Sequence, residues 1–308
     1  MRVVITSDFH IREVRLADTK VVLNQIADFA VEKRVDWLWC LGDVFQHRNP
    51  TVVVQEVINN WIVKLTNNGI MVLIIIGNHD ASGSVTAIDY FKTLKVKNVQ
   101  IEESPYIFNG KYYLGHHALR ESKMGPLSYS DDGQDIGVQD LISKYPKVKA
   151  FFLGHIHSPQ VINKKPPILH VGSIDRIDFG ERLENKRFLY LSDRIYSITI
   201  KNRPMIQIDL TTENIELPEI PEGAIVKLSI TGKKSEIKSL DLKGIIEKIP
   251  NPYSLKVAYN PIRESMVRSR IINETASPVQ CLKEYGKIKD LSKGVLELGK
   301  KIIIKEDR

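Results

Sequence analysis

The stretch Ile70–Asp80, "IMVLIIIGNHD", joins a run of seven apolar residues to a glycine and three polar residues. A short apolar run that ends at a turn residue is typical of a buried β-strand, and we predict one over Met71–Ile76. In open α/β sheets, functional side chains collect just beyond the carboxyl ends of the strands. Asn78, His79 and Asp80 place an amide, an imidazole and a carboxylate at such a position. We therefore expect this strand end to form part of a functional site.

Similar apolar runs recur along the chain, and amphipathic segments separate the first of them. Apolar residues recur at helical spacing over Thr19–Lys33 and Val52–Asn67, which predicts two α-helices. This alternation indicates an α/β layered domain whose sheet begins with parallel strands. Shorter β-like pieces after Ile174 predict antiparallel strands that complete the domain. The other predicted strands are Val3–Thr6, Trp37–Leu41, Val99–Glu102, Tyr112–Leu114, Ala150–Leu153 and Ile168–Val171.

Three parts of the chain differ in their sequence pattern. We assign residues 1–215 to the α/β domain, and the stretch "IELPEIPEG" at 215–223 is typical of a linker. Residues 222–275 carry a β-α-β pattern small enough for a cap domain. Residues 277–308 have helical periodicity, and Ser277 followed by Pro278 is a typical helix start.

Composition limits the class of protein. The 308 residues carry a net charge of +7, and most of the excess is C-terminal: residues 1–200 hold 24 Lys/Arg and 22 Asp/Glu, and residues 201–308 hold 20 and 15. This balance favours an anionic partner such as nucleic acid. The two cysteines cannot build a disulfide framework. No apolar run approaches the roughly 20 residues that span a bilayer, so we expect a soluble, untargeted cytoplasmic protein.

Polar residues follow the other predicted strands as well. Six of the eight histidines lie at strand ends, whereas His47 and His170 do not. Carboxylates, an amide and imidazoles without cysteine suit Mn²⁺, Fe²⁺ or Zn²⁺. Seven candidate ligands are too many for one ion and predict two metals that share a carboxylate. The candidates are Asp8, His10, Asp43, Asn78, one of His116 and His117, His155 and His157.

These strand-end motifs are similar to those of a known superfamily. The segments "SDFH" at 7–10, "LGDVF" at 41–45, "IIGNHD" at 75–80 and "LGHIH" at 153–157 resemble the signature of calcineurin-like metallophosphoesterases. Within that superfamily, "VGSIDRIDFGE" at 171–181 resembles a segment of SbcD-type nucleases, which process DNA double-strand breaks. The resemblance implies a four-layer β-sandwich flanked by helices, of α/β (α+β) class, with a cap domain and C-terminal helices.

The resemblance also implies a role for each site residue. One metal would be held by Asp8, His10 and His157, a second by Asn78, His116 and His155, with Asp43 bridging them. His79 would lie beside the scissile phosphate, and Asp80 would orient it. Arg176 would contact phosphate or brace the site, or instead pair with Asp175, Asp178 or Glu181. Relatives of the eukaryotic and archaeal type have a functional histidine where this chain has Gln46, and His47 is the candidate substitute.

The implied activity is metal-dependent hydrolysis of DNA, with Mn²⁺ the expected cofactor and Mg²⁺ or Fe²⁺ open. The expected substrates are double-strand ends, hairpins and single strands, processed in repair within the nucleoid. The expected partners are a second copy of the chain and an SbcC-like coiled-coil ATPase. Residues 277–308 would either dock to that ATPase or pack on the chain's own cap domain. Two alternatives stay open: a phosphodiesterase or phosphatase for small substrates, and a non-catalytic scaffold that binds DNA ends.

Overall fold

The computed structural model describes residues 1–82, 85–86, 88, 97–125, 128–129, 136–262 and 277–306. Its strands are β1 (Val3–Thr6), β2 (Trp37–Cys40), β3 (Met71–Ile75), β4 (Ala81–Ser82), β5 (Val85–Thr86), β6 (Val99–Glu102), β7 (Tyr106–Phe108), β8 (Tyr112–His116), β9 (Lys123–Gly125), β10 (Ser128–Tyr129), β11 (Ala150–Gly154), β12 (Gln160–Lys164), β13 (Pro167–His170), β14 (Arg187–Leu191), β15 (Ile195–Thr199), β16 (Met205–Thr211), β17 (Ile225–Gly232) and β18 (Ser254–Pro261). The described α-helices are α1 (Leu16–Glu32), α2 (Val52–Asn67), α3 (Val138–Lys144), α4 (Lys234–Ser239), α5 (Leu242–Glu247), α6 (Pro278–Ile288) and α7 (Lys293–Glu306).

The first large sheet has six strands in the order β15-β14-β1-β2-β3-β6. Strands β1, β2, β3 and β6 are parallel, and β14 and β15 are antiparallel additions. Helices α1 and α2 cover one face of this sheet. Side chains alternate between the two faces along a strand, and Val4, Leu38 and Ile74 lie on the face that the helices cover. Buried residues such as Ile26 and Ile58 on the helices complete this core.

The second large sheet has five strands in the order β12-β13-β11-β8-β7. Its inner face packs on the first sheet, with Leu114 and Phe152 against Ile5 and Trp39. Its outer face carries Tyr113, Phe151 and Leu153, which pack with Val138 and Leu141 of α3. The layers are therefore helix, sheet, sheet and helix, and the predicted four-layer fold is confirmed.

The parallel strands of both sheets bring their carboxyl ends toward one region. Strands β1, β2 and β3 run together in the first sheet, and β8 pairs in parallel with β11 in the second. Backbone hydrogen bonds join the loops beyond them: the Asp8 N–H donates to the carbonyl oxygen of Gly42, and the His10 N–H to that of Asp43, both at 3.0 Å. The polar strand ends thus lie beside one another.

The chain divides into two compact units. The first comprises residues 1–207, 219–227 and 249–256, and the second residues 208–218, 228–248 and 257–308. Strands β16, β17 and β18 form a three-stranded sheet, and α4 and α5 lie between β17 and β18 in the chain, in agreement with a β-α-β pattern. The predicted end of the cap at 275 lies outside the described residues, and the domain assignment stays a prediction.

The C-terminal segment forms two helices where the periodicity predicted helical structure. Ser277 caps α6: its hydroxyl accepts from the Gln280 N–H, and Pro278 occupies the first turn. Lys289–Ser292 separates α6 from α7. No helix in the described part of the chain is both long and apolar enough to cross a bilayer.

Candidate metal centre

The polar side chains at the strand ends converge on one cluster. Three groups of side chains place one potential ligand atom each within 4.8 Å of one another. These groups are Asp8, His10 and His157; His10, Asp43 and His79; and Asp43, His116 and His155. Because His10 and Asp43 each belong to two groups, the three sets form one continuous centre. Asn78 joins it through Oδ1, which lies 3.0 Å from His116 Nε2 and 3.1 Å from His155 Nδ1.

Asp43 occupies the middle of this centre. Its Oδ1 accepts the backbone N–H of His79 at 2.8 Å. Its Oδ2 lies 3.5 Å from His10 Nε2 and 3.2 Å from His116 Nε2, so the same oxygen faces both ends of the cluster. A carboxylate that one backbone contact fixes and that faces two ligand sets has the geometry required to bridge two cations.

The structure separates the neighbouring histidines 116 and 117. His116 Nδ1 donates to the carbonyl oxygen of Leu41 at 2.6 Å, which leaves Nε2 facing Asp43. His117 turns the other way, with Nδ1 at 3.0 Å from the Ala118 carbonyl oxygen and Nε2 at 2.8 Å from the Tyr113 hydroxyl. His116 therefore lies in the cluster and His117 does not.

His157 is held by a residue whose role the sequence did not reveal. Its Nδ1 lies 2.9 Å from Glu181 Oε1, and its Nε2 lies 3.0 Å from His10 Nε2. Sequence reasoning considered Glu181 only as a salt-bridge partner of Arg176. The feature of the sequence that could have pointed to Glu181 is that it is the acidic last residue of the 171–181 segment.

The side chains of His79 and Asp80 both contact backbone groups. The His79 ring donates from Nδ1 to the carbonyl oxygen of Gln46 at 2.9 Å. The buried Asp80 carboxylate instead accepts the N–H groups of Phe45 and Gly77, both at 3.1 Å. Asp80 therefore ties the loop after β2 to the loop after β3, and the His79 ring is held by a backbone carbonyl of the first of these loops.

Burial and charge pairing shift the pKa values of several groups in the centre. Burial raises the pKa of the Asp8 carboxyl, and burial together with the Asp43 charge raises the pKa of Asp80 to about 7. Burial lowers the pKa of His10 to about 3, so this imidazole is neutral and able to act as a ligand. Burial opposes protonation of His116 too, yet its hydrogen bond to Asp43 and the Asp8 charge raise its pKa to about 9.

The residues present fit two divalent metals. Asp8 Oδ2 is buried and has no hydrogen-bond partner among the residues that the structure describes, while Oδ1 accepts the His155 N–H at 3.0 Å. A buried carboxylate oxygen without a partner is costly unless something electropositive binds it. The donor set consists of carboxylate and amide oxygens and imidazole nitrogens, which suits borderline divalent ions.

Comparison with known proteins agrees with this geometry. Residues 1–164, more than half of the chain, match the family described as calcineurin-like phosphoesterase. The chain belongs to that family. Members of this family use a dimetal site, and the clustered side chains of this phosphoesterase are candidate ligands for such a site. Membership in the family also indicates that the protein is a hydrolase.

A curated DNA repair protein and a curated nuclease subunit are distant relatives of this phosphoesterase. The DNA double-strand break repair protein Mre11 of Methanosarcina mazei is 24% identical over 289 residues, covering 78% of this chain and 46% of the relative, so the chain spans about half of that protein's length. The SbcD component of the nuclease SbcCD of Escherichia coli K12 is 21% identical over 294 residues, covering 74% of this chain and 71% of the relative. A solved dimetal phosphatase from Danio rerio overlaps with a TM-score of 0.39 and 10% identity, covering 65% of this chain and 99% of that one.

Two residues considered from the sequence lie outside the ligand cluster of the phosphoesterase. The Arg176 guanidinium donates to the backbone carbonyl oxygens of Glu184 and Arg203, so it braces the chain, and none of the predicted carboxylate pairs is found among its described contacts. Of those carboxylates, Asp175 pairs with Arg15 at 2.7 Å. His47 is exposed and lines an open pocket of about 470 Å³ together with Gln46, Arg48, Asn49, Asn78 and His79.

Proposed function

We propose that this phosphoesterase hydrolyses DNA phosphodiester bonds with two divalent metals, Mn²⁺ first among them, as the nuclease component of an SbcCD-type complex. The observation that carries this proposal is the position of Asp43, whose Oδ2 faces His10 on one side and His116 on the other. The names of the Mre11 and SbcD relatives support DNA as the substrate. The expected substrates are double-strand ends, hairpins and single strands.

In this proposal the ligands divide into two sets that share Asp43. Asp8, His10 and His157 hold the first metal, and Asn78, His116 and His155 hold the second. When bound, the two cations supply positive charge at the phosphate and lower the pKa of the attacking water. No protein nucleophile is needed for this chemistry.

His79 is the proposed proton donor. Its Nδ1 proton is engaged by the Gln46 carbonyl oxygen, so Nε2 can donate only when the ring carries both protons. A ring in that state donates from Nε2 to a phosphate oxygen or to the leaving 3′-oxygen. Asp80 is a positioning residue, because it holds the backbone of Phe45, next to the Gln46 that binds the His79 ring, and the backbone of Gly77, two residues before His79. His47, exposed in the neighbouring pocket, is a proposed substrate contact.

Substrate choice tests the proposal directly. Purified protein is assayed with Mn²⁺, Mg²⁺ or Fe²⁺ on end-labelled linear duplex, hairpin and single-stranded DNA, and on bis-p-nitrophenyl phosphate. We expect Mn²⁺-dependent cleavage of DNA that a chelator abolishes. Cleavage of the small diester alone would support the small-substrate phosphodiesterase instead, and chelator-insensitive end binding without cleavage would support the scaffold.

Variants separate the metal ligands from the proton donor. His79→Ala should keep both metals and lose most turnover, about 10²–10⁴-fold, because a general acid contributes that much. Asp43→Ala should lose metal occupancy, measured by elemental analysis. His117→Ala is the matched control, since its ring lies outside the cluster. Near-normal turnover of His79→Ala would contradict the role of His79.

We also propose that the C-terminal helices bind a coiled-coil ATPase and that the phosphoesterase is a homodimer. Helices α6 and α7 pack closely, since a Cβ at Gly286 would overlap Leu296. Among the described side chains of this pair, four apolar ones stay 42–61% exposed, namely Tyr285, Val295, Leu298 and Ile302. An exposed apolar face on helices suits docking to a partner.

Co-purification tests the docking surface. Deleting residues 277–308 should abolish co-purification with an SbcC-like ATPase, and Leu298→Asp should weaken it, whereas Lys287→Asp on α6 serves as a charge-changing control. Retained binding by the deleted protein would contradict docking through these helices. Light scattering of the full chain tests the dimer.

A further inference from the structure

The last residue of the 171–181 segment reaches the metal centre. This segment carries the resemblance to SbcD-type nucleases, yet none of the proposed ligand roles falls on it. Glu181 Oε1 lies 2.9 Å from His157 Nδ1, and the Glu181 side chain is only 11% exposed. The contact joins this segment to a proposed ligand of the first metal.

Lys186 is a fully buried cation that holds Glu181 in place. Its Nζ lies 2.8 Å from Glu181 Oε2, 2.7 Å from Glu184 Oε2 and 3.1 Å from the His157 carbonyl oxygen. A lysine is seldom fully buried unless it is paired, because an unpaired buried charge is strongly unfavourable. The ammonium therefore takes one oxygen of Glu181, and the other oxygen stays available to His157.

The backbone on either side of Glu181 is also fixed. The Arg12 guanidinium donates to the Ile177 carbonyl oxygen at 2.8 Å, and the Arg176 guanidinium donates to that of Glu184 at 2.9 Å. The Ile177 N–H donates to Glu181 Oε2 at 2.9 Å. These contacts hold the segment, so the distance from Glu181 to His157 is set by the fold.

We propose that Glu181, held by Lys186, is a positioning residue that keeps the His157 proton on Nδ1 and presents Nε2 to the first metal. The carboxylate can only accept, so Nδ1 donates, and Nε2, which faces His10, keeps its lone pair. Partners of this kind fix the ring orientation of ligating histidines and raise metal affinity. The inference rests on the proposed function, in which His157 is a ligand.

Glu181→Gln tests this role with little change in shape. The buried ammonium takes the amide oxygen, which turns the amide NH₂ group toward His157. Nδ1 then accepts and the proton moves to Nε2, the nitrogen that faces the metal. We expect affinity for one Mn²⁺ to fall about 10–100-fold while the second ion binds as in wild type.

Two measurements on the full chain report this change without using activity. Mn²⁺ titration followed by electron paramagnetic resonance gives the affinities of both ions. In the metal-free protein, ¹H–¹⁵N NMR of ¹⁵N-histidine reports which His157 nitrogen carries the proton, with His157→Asn used for assignment. We expect Nδ1–H in wild type and Nε2–H in Glu181→Gln.

Glu184→Gln is the matched control, because Glu184 also pairs with Lys186 but has no described contact with the His157 ring. It should keep wild-type affinity to within about threefold and the Nδ1–H tautomer, since the carboxylate at His157 is intact. Equal losses in both variants, or equal losses at both metals, would show general loosening and overturn the proposal. So would a Glu181→Gln protein with wild-type affinity and tautomer.

Glu181→Asp covers the case in which Glu181→Gln does not fold. It keeps the charge beside Lys186 but shortens the reach to His157 by one methylene, so one ion should again bind more weakly. Wild-type affinity in this variant would overturn the proposal. If the wild-type chain binds two Mn²⁺ ions but cleaves no DNA, the proposed function fails, while affinity and tautomer still decide the role of Glu181.

Discussion

Four residues of the metal centre hold their backbone in the left-handed region. The φ angle is 52° at Asp8, 44° at His10, 51° at Asp43 and 76° at His155. Residues with a Cβ seldom adopt this conformation, and each instance costs on the order of 1–3 kcal/mol. Strain of this kind persists where the surrounding structure forces it, and it concentrates at functional sites. Here it aims two carboxylates and two imidazoles at one cluster.

At this scale the two adjacent histidines give the sharpest test. His116→Ala should reduce bound metal from about two ions per chain to about one, because Nε2 of this ring faces Asp43 and Asn78. His117→Ala should keep both ions, since its ring contacts Tyr113 and Ala118. Elemental analysis of the two folded variants measures this difference. Metal loss in His117→Ala alone would reverse the assignment.

His170 should make stability depend on pH. It is fully buried, donates from Nδ1 to the Gly154 carbonyl oxygen and accepts from the Ser122 hydroxyl, and burial lowers its pKa from 6.5 to about 3. Between these values the unfolded chain binds a proton that the folded chain does not. The free energy of unfolding should therefore fall as the pH falls, by up to about 1.4 kcal/mol per pH unit.

Urea unfolding between pH 4 and 7, with a chelator present, measures this slope. His170→Asn lacks the titrating ring and should show a slope smaller by about the same amount. The metal-centre histidines contribute equally to both proteins, so the difference isolates His170. Identical slopes would mean that His170 is not the titrating group.

At the scale of elements, the strand-end loops pack too tightly for a side chain at Gly77. A Cβ built there would overlap the backbone nitrogen and Oδ1 of Asp43. Gly77→Ala should therefore destabilise the fold by about 1–3 kcal/mol and weaken metal binding, because Asp43 must move. Gly294→Ala, on α7 with nothing within 4 Å, is the control and should not destabilise. Thermal unfolding and metal content measure both effects.

The bounds of several elements follow from local pattern. Strands β1 and β6 and helix α2 coincide with the predicted ranges, because apolar runs and helical spacing define them within the segment itself. Strand β8 extends two residues beyond its predicted end at Leu114, since its parallel pairing with β11 continues to His116 opposite Gly154. Helix α1 begins at Leu16, before the predicted Thr19. For β8, a pairing partner distant in sequence decides where the strand ends.

At the scale of the whole molecule, metal binding should stabilise the phosphoesterase. The ligands come from segments as far apart as Asp8 and His157, so the unfolded chain has no comparable site. Free Mn²⁺ at 100 times its dissociation constant should raise the free energy of unfolding by about 2.7 kcal/mol for each ion bound. Calorimetry with Mn²⁺ and with a chelator measures the shift, and Asp43→Asn should show a smaller one. Equal shifts in both proteins would place the stabilising ions elsewhere.

The strand-end motifs of the sequence were enough to identify the family, and with it the four-layer fold that the resemblance implies, and to point to the strand ends that carry the candidate ligands. The motifs themselves are local features, in which polar residues follow an apolar run within a few positions. Asp43 and His155 could be singled out because each directly follows an apolar run and a glycine, and Asp8 because it lies two residues after the end of β1.

Only the tertiary structure decided which way individual rings point. Strand β8 is buried on both faces, so its apolar pattern does not reveal which face meets the other sheet. Pairing with β11 places His116 on the side of Leu114 and His117 on the side of Tyr113, because successive side chains alternate. The carbonyl that holds His79 and the carboxylate that holds His157 also lie far away in sequence, at Gln46 and Glu181. Contacts of this range depend on how the sheets pack, which no local pattern encodes.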